Sequence, residues 1–298
     1  MAASVAYPAG SAILPGMAQK PDIAIVGAGN LATALALALR KAGYRIEAIV
    51  SRKEGSLRAK RLAKRFGTRV VVNPKTLAAK ILWLCVPDGE IARAASTLAQ
   101  VFAGRGKIAL HSSGALTSDE LRSLRRKGTE VASVHPLMTF VRNSAPSLAG
   151  IPFAIEGDSK AVRAARSIVR DLGGEAYRIR KKEKNAYHTW GTFASPLLTA
   201  LLATTEHVAG LAGVKAKAAR RRMLPILLRT IENYARLGAG KGFSGPIIRG
   251  DVETVRRHLE VLRRAPIPKQ VYLALARAAM EYLPVSNRKP LERLLTSA

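Results

Sequence analysis

The stretch DIAIVGAGNLATALALALRKAG, residues 22–43, decides the fold of this 298-residue chain. A short apolar run rich in β-branched residues precedes the glycines, and an apolar helical pattern follows them, which is the signature of strand, tight turn and helix. Gly27, Gly29 and Ala32 stand in GxGxxA spacing. Gly27 permits the turn, Gly29 lets backbone approach a pyrophosphate, and Ala32 allows the helix to pack closely on the strand. The first helical residues, Asn30 and Leu31, present backbone N–H donors and the positive end of the helix dipole to an anion. The stretch therefore predicts a dinucleotide site.

Outward from this unit the alternation continues. Strand-like runs recur at YRIEAIVS, TRVVV, KILWLCV, KIALHSS, EVASVHP, IPFAIEG and EAYRIR, with helical patterns between most of them, and they stop near residue 180. Such alternation implies an α/β, doubly wound, mainly parallel sheet. Helical patterns alone then follow, over 182–213, AKAARRRMLPILLRTIENYARLG, DVETVRRHLEVLRR and VYLALARAAMEYL, with a glycine-rich break at KGFSGPIIRGD. Asp251 is placed to cap the helix that follows it, and Gly238 and Gly240 to stop the one before. The domains expected are residues 21–180, binding the nucleotide, and 181–298, all-helical and serving substrate binding and dimerisation. Residues 1–20 read as a disordered extension or an over-long start with Met17 as the initiator.

Composition narrows the function classes. A single cysteine, Cys85, in an apolar run excludes an intrachain disulfide and suits a reduced cytoplasmic protein. No cysteine and histidine cluster has metal-ligand spacing. The longest apolar candidate, FASPLLTALLATTEHVAG, carries Pro196, Glu206 and His207, so no membrane span is expected. The net charge of +29 raises a polyanion partner. The basic residues, however, are spread over several helices, and aromatics make up only 5% of the chain, which removes the stacking platform of a single-strand binder. Nonspecific attraction for nucleic acid is the remainder; specific recognition is not expected.

At the end of the second strand an NAD site usually carries an acid for the ribose hydroxyl. This chain has Ser51, Arg52 and Lys53, a hydroxyl and two cations suited to a 2'-phosphate, so NADP (NADPH) is the expected cofactor; the alternative is a general basic surface. Val86, Pro87 and Asp88, in VPDGEI, would wall the nicotinamide end. Ser112, Ser113 and Gly114, in HSSGAL, offer donors to a polar substrate, and His135, in SVHPLMTF, is either catalytic or a hydrogen-bonded structural residue.

These segments, taken in order as VGAGNLATAL, VPD, HSSGAL, SVHPLMTF, GIPFAIEGD, KxxYH and GPIIRGD, resemble Rossmann-like proteins with a C-terminal domain of unknown function. That group resembles a branch of the 6-phosphogluconate dehydrogenase-like superfamily, near the ketopantoate and pyrroline-carboxylate reductases. The resemblance covers residues 22 to about 285 and implies a nicotinamide-dependent oxidoreductase, often dimeric through its helical domain. It also implies substrate contact by Ser113 and Gly114, and acid or base action by Lys184. His188 stands where the family has an amide, and Pro196 where an Asn is expected.

In KEKNAYHTWGTFAS, residues 182–195, Lys184 and His188 share a helix face at i and i+4, and Ser195 returns to nearly the same angle if the helix is regular. Lys184 or His188 is the candidate proton donor and Ser195 a substrate contact; the alternative is a solvated helix start. Arg249 is either a clamp for a substrate carboxylate, or a cap of the preceding helix or a bridge to another subunit. The reading is an NADP-dependent oxidoreductase reducing a C=O or C=N group of a small anionic substrate, such as a 2-oxo acid or cyclic imine. A non-catalytic NADP-binding sensor is the alternative.

Overall fold

The computed structural model describes residues 20–142 and 144–298, so the expected N-terminal extension lies, apart from Lys20, outside the described residues. The described residues form two compact units, divided between Gly191 and Thr192. In the first, strands and helices alternate. The strands are β1 (Ile23–Val26), β2 (Ile46–Val50), β3 (Arg69–Val71), β4 (Ile81–Leu84), β5 (Ile108–His111), β6 (Glu130–Pro136), β7 (Pro152–Gly157) and β8 (Glu175–Arg178). The helices are α1 (Asn30–Lys41), α2 (Leu57–Phe66), α3 (Asp88–Leu98), the short α4 (Arg122–Arg125), α5 (Ser159–Asp171) and α6 (Lys184–Thr192), whose last residue opens the second unit.

One eight-stranded sheet results, in the order β3-β2-β1-β4-β5-β6-β7-β8. All neighbours are parallel except β6 and β7, which pair antiparallel from Ala132 with Gly157 to Pro136 with Phe153. Strand order reverses between β1 and β4, the place where a crevice opens beyond the carboxyl ends of a doubly wound sheet. Strand alternation distributes the core over both faces. Ile23, Ile25, Ile81 and Trp83 pack with α1, α2 and α5 on one side, whereas Ala24, Val26, Leu82 and Leu84 pack with α3 and α4 on the other. Full burial of each such Ile or Leu contributes roughly 1.5–3 kcal/mol, which is why these short runs hold as strands.

The first unit extends past residue 180, where the strand pattern ends, because α6 buries Lys184 and Tyr187. The second unit contains α7 (Leu198–Leu211), α8 (Ala216–Gly242), α9 (Pro246–Arg249), α10 (Val252–Leu262), α11 (Pro266–Tyr282) and α12 (Arg288–Ser297), around a small core of Val255, Leu259, Ala276, Met280, Leu291 and Leu295. Asp251 caps α10 by accepting from the Thr254 N–H, as expected. Gly238 breaks the helical path of α8 at φ +75°, and the glycine-rich segment holds the single turn α9. No single helix among the described residues is long and apolar enough to cross a membrane.

Candidate active site

The glycine loop joins β1 to α1. Gly27 has φ +101°, and its N–H donates to the Val50 carbonyl at 2.9 Å. A methyl group there would lie 2.5 Å from the Cys85 carbonyl oxygen and 3.3 Å from Val86 Cγ1, so both conformation and space require glycine. Gly29 is the N-cap residue of α1, and its missing side chain would point into open space. No side chain caps the first turn of α1, and no acidic residue lies in it, which leaves an anion cradle at Asn30 and Leu31. The Asn30 side chain instead donates to the Phe140 carbonyl at 3.0 Å and ties the loop to the segment after β6.

At the end of β2 the Ser51 hydroxyl donates to the Lys53 carbonyl, and Lys53 is exposed. Arg52 forms an ion pair with Glu90 of α3 at 2.9 Å. Arg93 also binds Glu90 and, with Arg52, holds its carboxyl below the usual range. Val86 and Pro87 lead from β4 into α3, with Pro87 at its N-cap position.

A buried polar network fills the ends of β5 and β6. The Lys184 ammonium, 1% exposed, donates to the Ser113 carbonyl at 2.8 Å and to the Ser133 hydroxyl, which itself donates to Ser113. Desolvation pushes Lys184 down to about 8, with partial opposition from the charges of Glu156 and Asp88. The Ser113 hydroxyl donates to Asp88 at 2.8 Å and accepts from the Leu116 N–H at 2.9 Å. Ser112 accepts from the Trp83 indole at 2.8 Å. The Ser113 hydroxyl is thus engaged within the protein as both donor and acceptor, and the Ser112 hydroxyl as an acceptor. His111 accepts the Ser113 N–H at Nδ1 and donates from Nε2 to the Thr117 carbonyl, which fixes its neutral tautomer. Burial, reinforced by Lys184, pushes it down to about 3.

One turn beyond Lys184, the Tyr187 hydroxyl lies 2.7 Å from His135 Nδ1. Burial raises the phenol, and burial first, then the Lys184 and His188 charges, lowers His135 to about 4, so both partners are neutral at pH 7. His188 is exposed, and its ring stands edge-on to His135 with centroids 6.4 Å apart. Gly114 is the third wall: a methyl group there would come within 2.7 Å of His188 Cδ2 and 2.9 Å of His135 Nε2. The structure thus brings together Gly114, His135, Lys184 and His188.

Ser195 and Arg249 belong to the second unit. Ser195 lies in a π-helical turn, Phe193–Leu197, so the regular phase that aligned it with Lys184 does not apply. Pro196 accounts for the turn: it lacks an N–H and would collide with the carbonyl four residues back in a regular helix. Arg249 is exposed at the last position of α9. Tyr187 was not singled out by sequence, although its i+3 spacing from Lys184 marks the same face. Ser133 and Glu156 gave no local signal, because their partners lie at least 20 residues away.

Two family models match the chain: a Rossmann-like domain over residues 12–136 and a domain of unknown function, DUF2520, over residues 151–279. The junction falls between β6 and β7, where the sheet reverses direction, so the DUF2520 match supplies the last two strands as well as helices. Among solved structures, the chain is similar to a proposed NADP oxidoreductase of Bacteroides fragilis, with 23% identity, a TM-score of 0.71 and coverage of 87% of this chain and 98% of that one. A Thermotoga maritima protein gives 22% identity and a TM-score of 0.69 over 92% and 98% of the two chains. A pyrroline-5-carboxylate reductase from Coxiella burnetii gives 15% identity and 0.58 over 88% and 98%. These likenesses establish the fold. No curated protein matches the chain.

The depressed histidines make a prediction. Above the unfolded value of ~6.5, both states hold His111 and His135 neutral; as pH falls below it, the unfolded chain takes up protons that the folded chain refuses. Their contribution to stability is therefore present above ~6.5 and lost toward the folded values of about 4 and 3. NMR titration is expected to place the His135 midpoint near 4. A midpoint of ~6.5 would show that the Tyr187 pair is open to water.

Proposed function

We propose that this chain is an NADP-dependent oxidoreductase that reduces a C=O or C=N group of a small acidic substrate, with a 2-oxo acid or a cyclic imine acid as the substrate classes. The observation that carries the reading is the arrangement along one edge of the sheet. An uncapped, glycine-lined helix start at the β1/β4 switch point is followed, at the ends of β5 and β6, by Gly114, His135, Tyr187 and His188. A dinucleotide stretched along this edge has its pyrophosphate at Asn30 and Leu31 and its nicotinamide beyond Val86 and Pro87. The fold relationship to a pyrroline-5-carboxylate reductase supports the C=N alternative as analogy.

Bound NADPH supplies the hydride, and the protein must supply a proton. His188 is the proposed donor, because it is exposed beside Gly114, whereas two of the three ammonium donors of Lys184 are engaged by Ser113 and Ser133. Lys184 positions: it holds the Ser113–Gly114 turn against α6. His135, neutral and buried, hydrogen-bonds Tyr187 and presents its other nitrogen toward Gly114.

Homodimerisation belongs to the same proposal. Helix α8 buries only Ala219, and its Leu224, Ile226, Leu228, Ile231 and Tyr234 are each more than half exposed. So much apolar surface on one helix fits an interface with a second copy. Light scattering is expected to give twice the chain mass; a monomer at micromolar concentration would contradict it. For the chemistry, a panel of 2-oxo acids and cyclic imines screened for NADPH oxidation is expected to yield a substrate, with His188→Ala lowering kcat by roughly 100-fold or more. NADPH binding without turnover across the panel would favour a sensor. Unchanged turnover in both His188→Ala and Lys184→Ala would remove the assignment of these residues.

A further inference from the structure

Helix α2 starts at the N-cap Ser56 and buries Ala59, Leu62, Ala63 and Phe66 against the sheet. This leaves Arg58, Arg61 and Arg65, at i, i+3 and i+7, along one flank. That flank faces Ala28 of the glycine loop and Asn30 of α1, and Arg142, from the segment after β6, completes a recess of about 320 Å³. The volume lies at the lower end of the range for small-molecule sites.

The electrostatics of the recess are one-sided. Four guanidinium groups line it and no carboxylate does. Among the described residues none of the four has an ion pair, although Arg45, Arg52, Arg69, Arg93 and Arg125 of the same unit each pair with a carboxylate. Unneutralised cations gathered in a concave site repel one another, and a dianion with several acceptor oxygens relieves that repulsion.

Position supplies the ligand. Ala28 lies between Gly27 and Gly29, so the recess opens on the cradle for the pyrophosphate, on the side of β2 and α2 where the adenosine of a dinucleotide lies. Arg52 does not line the recess. Its partner Glu90 belongs to α3, whose Ile91 and Ala95 pack on the opposite face of the sheet from the Ala59 and Leu62 of α2.

On the reading that the chain binds a dinucleotide, we propose that the phosphate distinguishing NADP from NAD is read by Arg58, Arg61 and Arg142, and not by Arg52. A phosphate dianion is the recognised chemistry, and a free phosphorylated compound would share it. Calorimetry of the full chain with NADPH, NADH and inorganic pyrophosphate separates the cases, with circular dichroism checking the fold of each variant.

The combined Arg58→Ala and Arg61→Ala variant, and Arg142→Ala, are expected to weaken NADPH by about 10-fold or more while leaving NADH within about 2-fold. Arg52→Ala is expected to change the NADPH to NADH ratio by less than about 3-fold. A collapse of that ratio in Arg52→Ala, or its retention in the Arg58 and Arg61 variant, would overturn the proposal. Wild-type protein that binds neither dinucleotide would remove the dinucleotide reading itself. Pyrophosphate binding that disappears with Arg58 and Arg61 would in that case assign the recess to a free phosphate and equally overturn its role as a cofactor reader.

Discussion

The site depends on one buried charge. Lys184 is the first residue of α6, and its ammonium lies among the ends of β5 and β6, held by the Ser113 carbonyl and the Ser133 hydroxyl. Burying a cation is unfavourable. The fall from 10.5 to about 8 corresponds to a penalty on the order of 3 kcal/mol below the folded value. In sign, this penalty fades as pH rises from about 8 toward 10.5, because over that range the unfolded chain still holds a proton that the folded chain has released, and holding it grows less favourable as pH rises. The return on that cost is position. With Lys184 fixed, Tyr187 and His188 come down one turn later against His135 and Gly114, and the Lys184 charge helps keep both His111 and His135 neutral.

The same constraint explains why the Ser113 hydroxyl is engaged inside the protein. A main-chain turn that offers its carbonyl to a buried ammonium must satisfy its remaining polar groups locally. Ser113 does so through Asp88, Leu116 and His111, and Ser112 through Trp83. What remains beside the turn is shape: the space at Gly114 and the imidazoles around it. Glu156 is held in turn by the Ser118 N–H and hydroxyl, which keeps a compensating charge near Lys184.

Much of the sheet is legible in local sequence, because strands buried on both faces read as short apolar runs and GxGxxA marks the first turn. The reversal at β7 is not legible, since Pro152–Gly157 has the composition of its parallel neighbours and only its pairing with β6 sets its direction. In the site, the i, i+4 relation of Lys184 and His188 is local and visible. The pairings of Asp88 with Ser113, Arg52 with Glu90 and Lys184 with Ser133 join separate segments and emerge only with the fold. Ser195 illustrates the opposite limit: its angular alignment assumed a regular helix that Pro196 converts into a π turn. The charge of +29 is clearer in the structure, where most carboxylates of the first unit serve arginine pairs or the polar network and the recess of Arg58, Arg61, Arg65 and Arg142 has none.

That Lys184 holds the Ser113–Gly114 turn is the central claim, and native-state hydrogen exchange in Lys184→Met tests it most directly. The amides to follow are Ser113, which donates to His111, and Leu116, which donates to the Ser113 hydroxyl. Both are expected to exchange at least ~10-fold faster than in the wild type while core amides of β1 keep their protection. Unchanged exchange at both amides would contradict the claim and return Lys184 to the role of a buried residue without hold on the site.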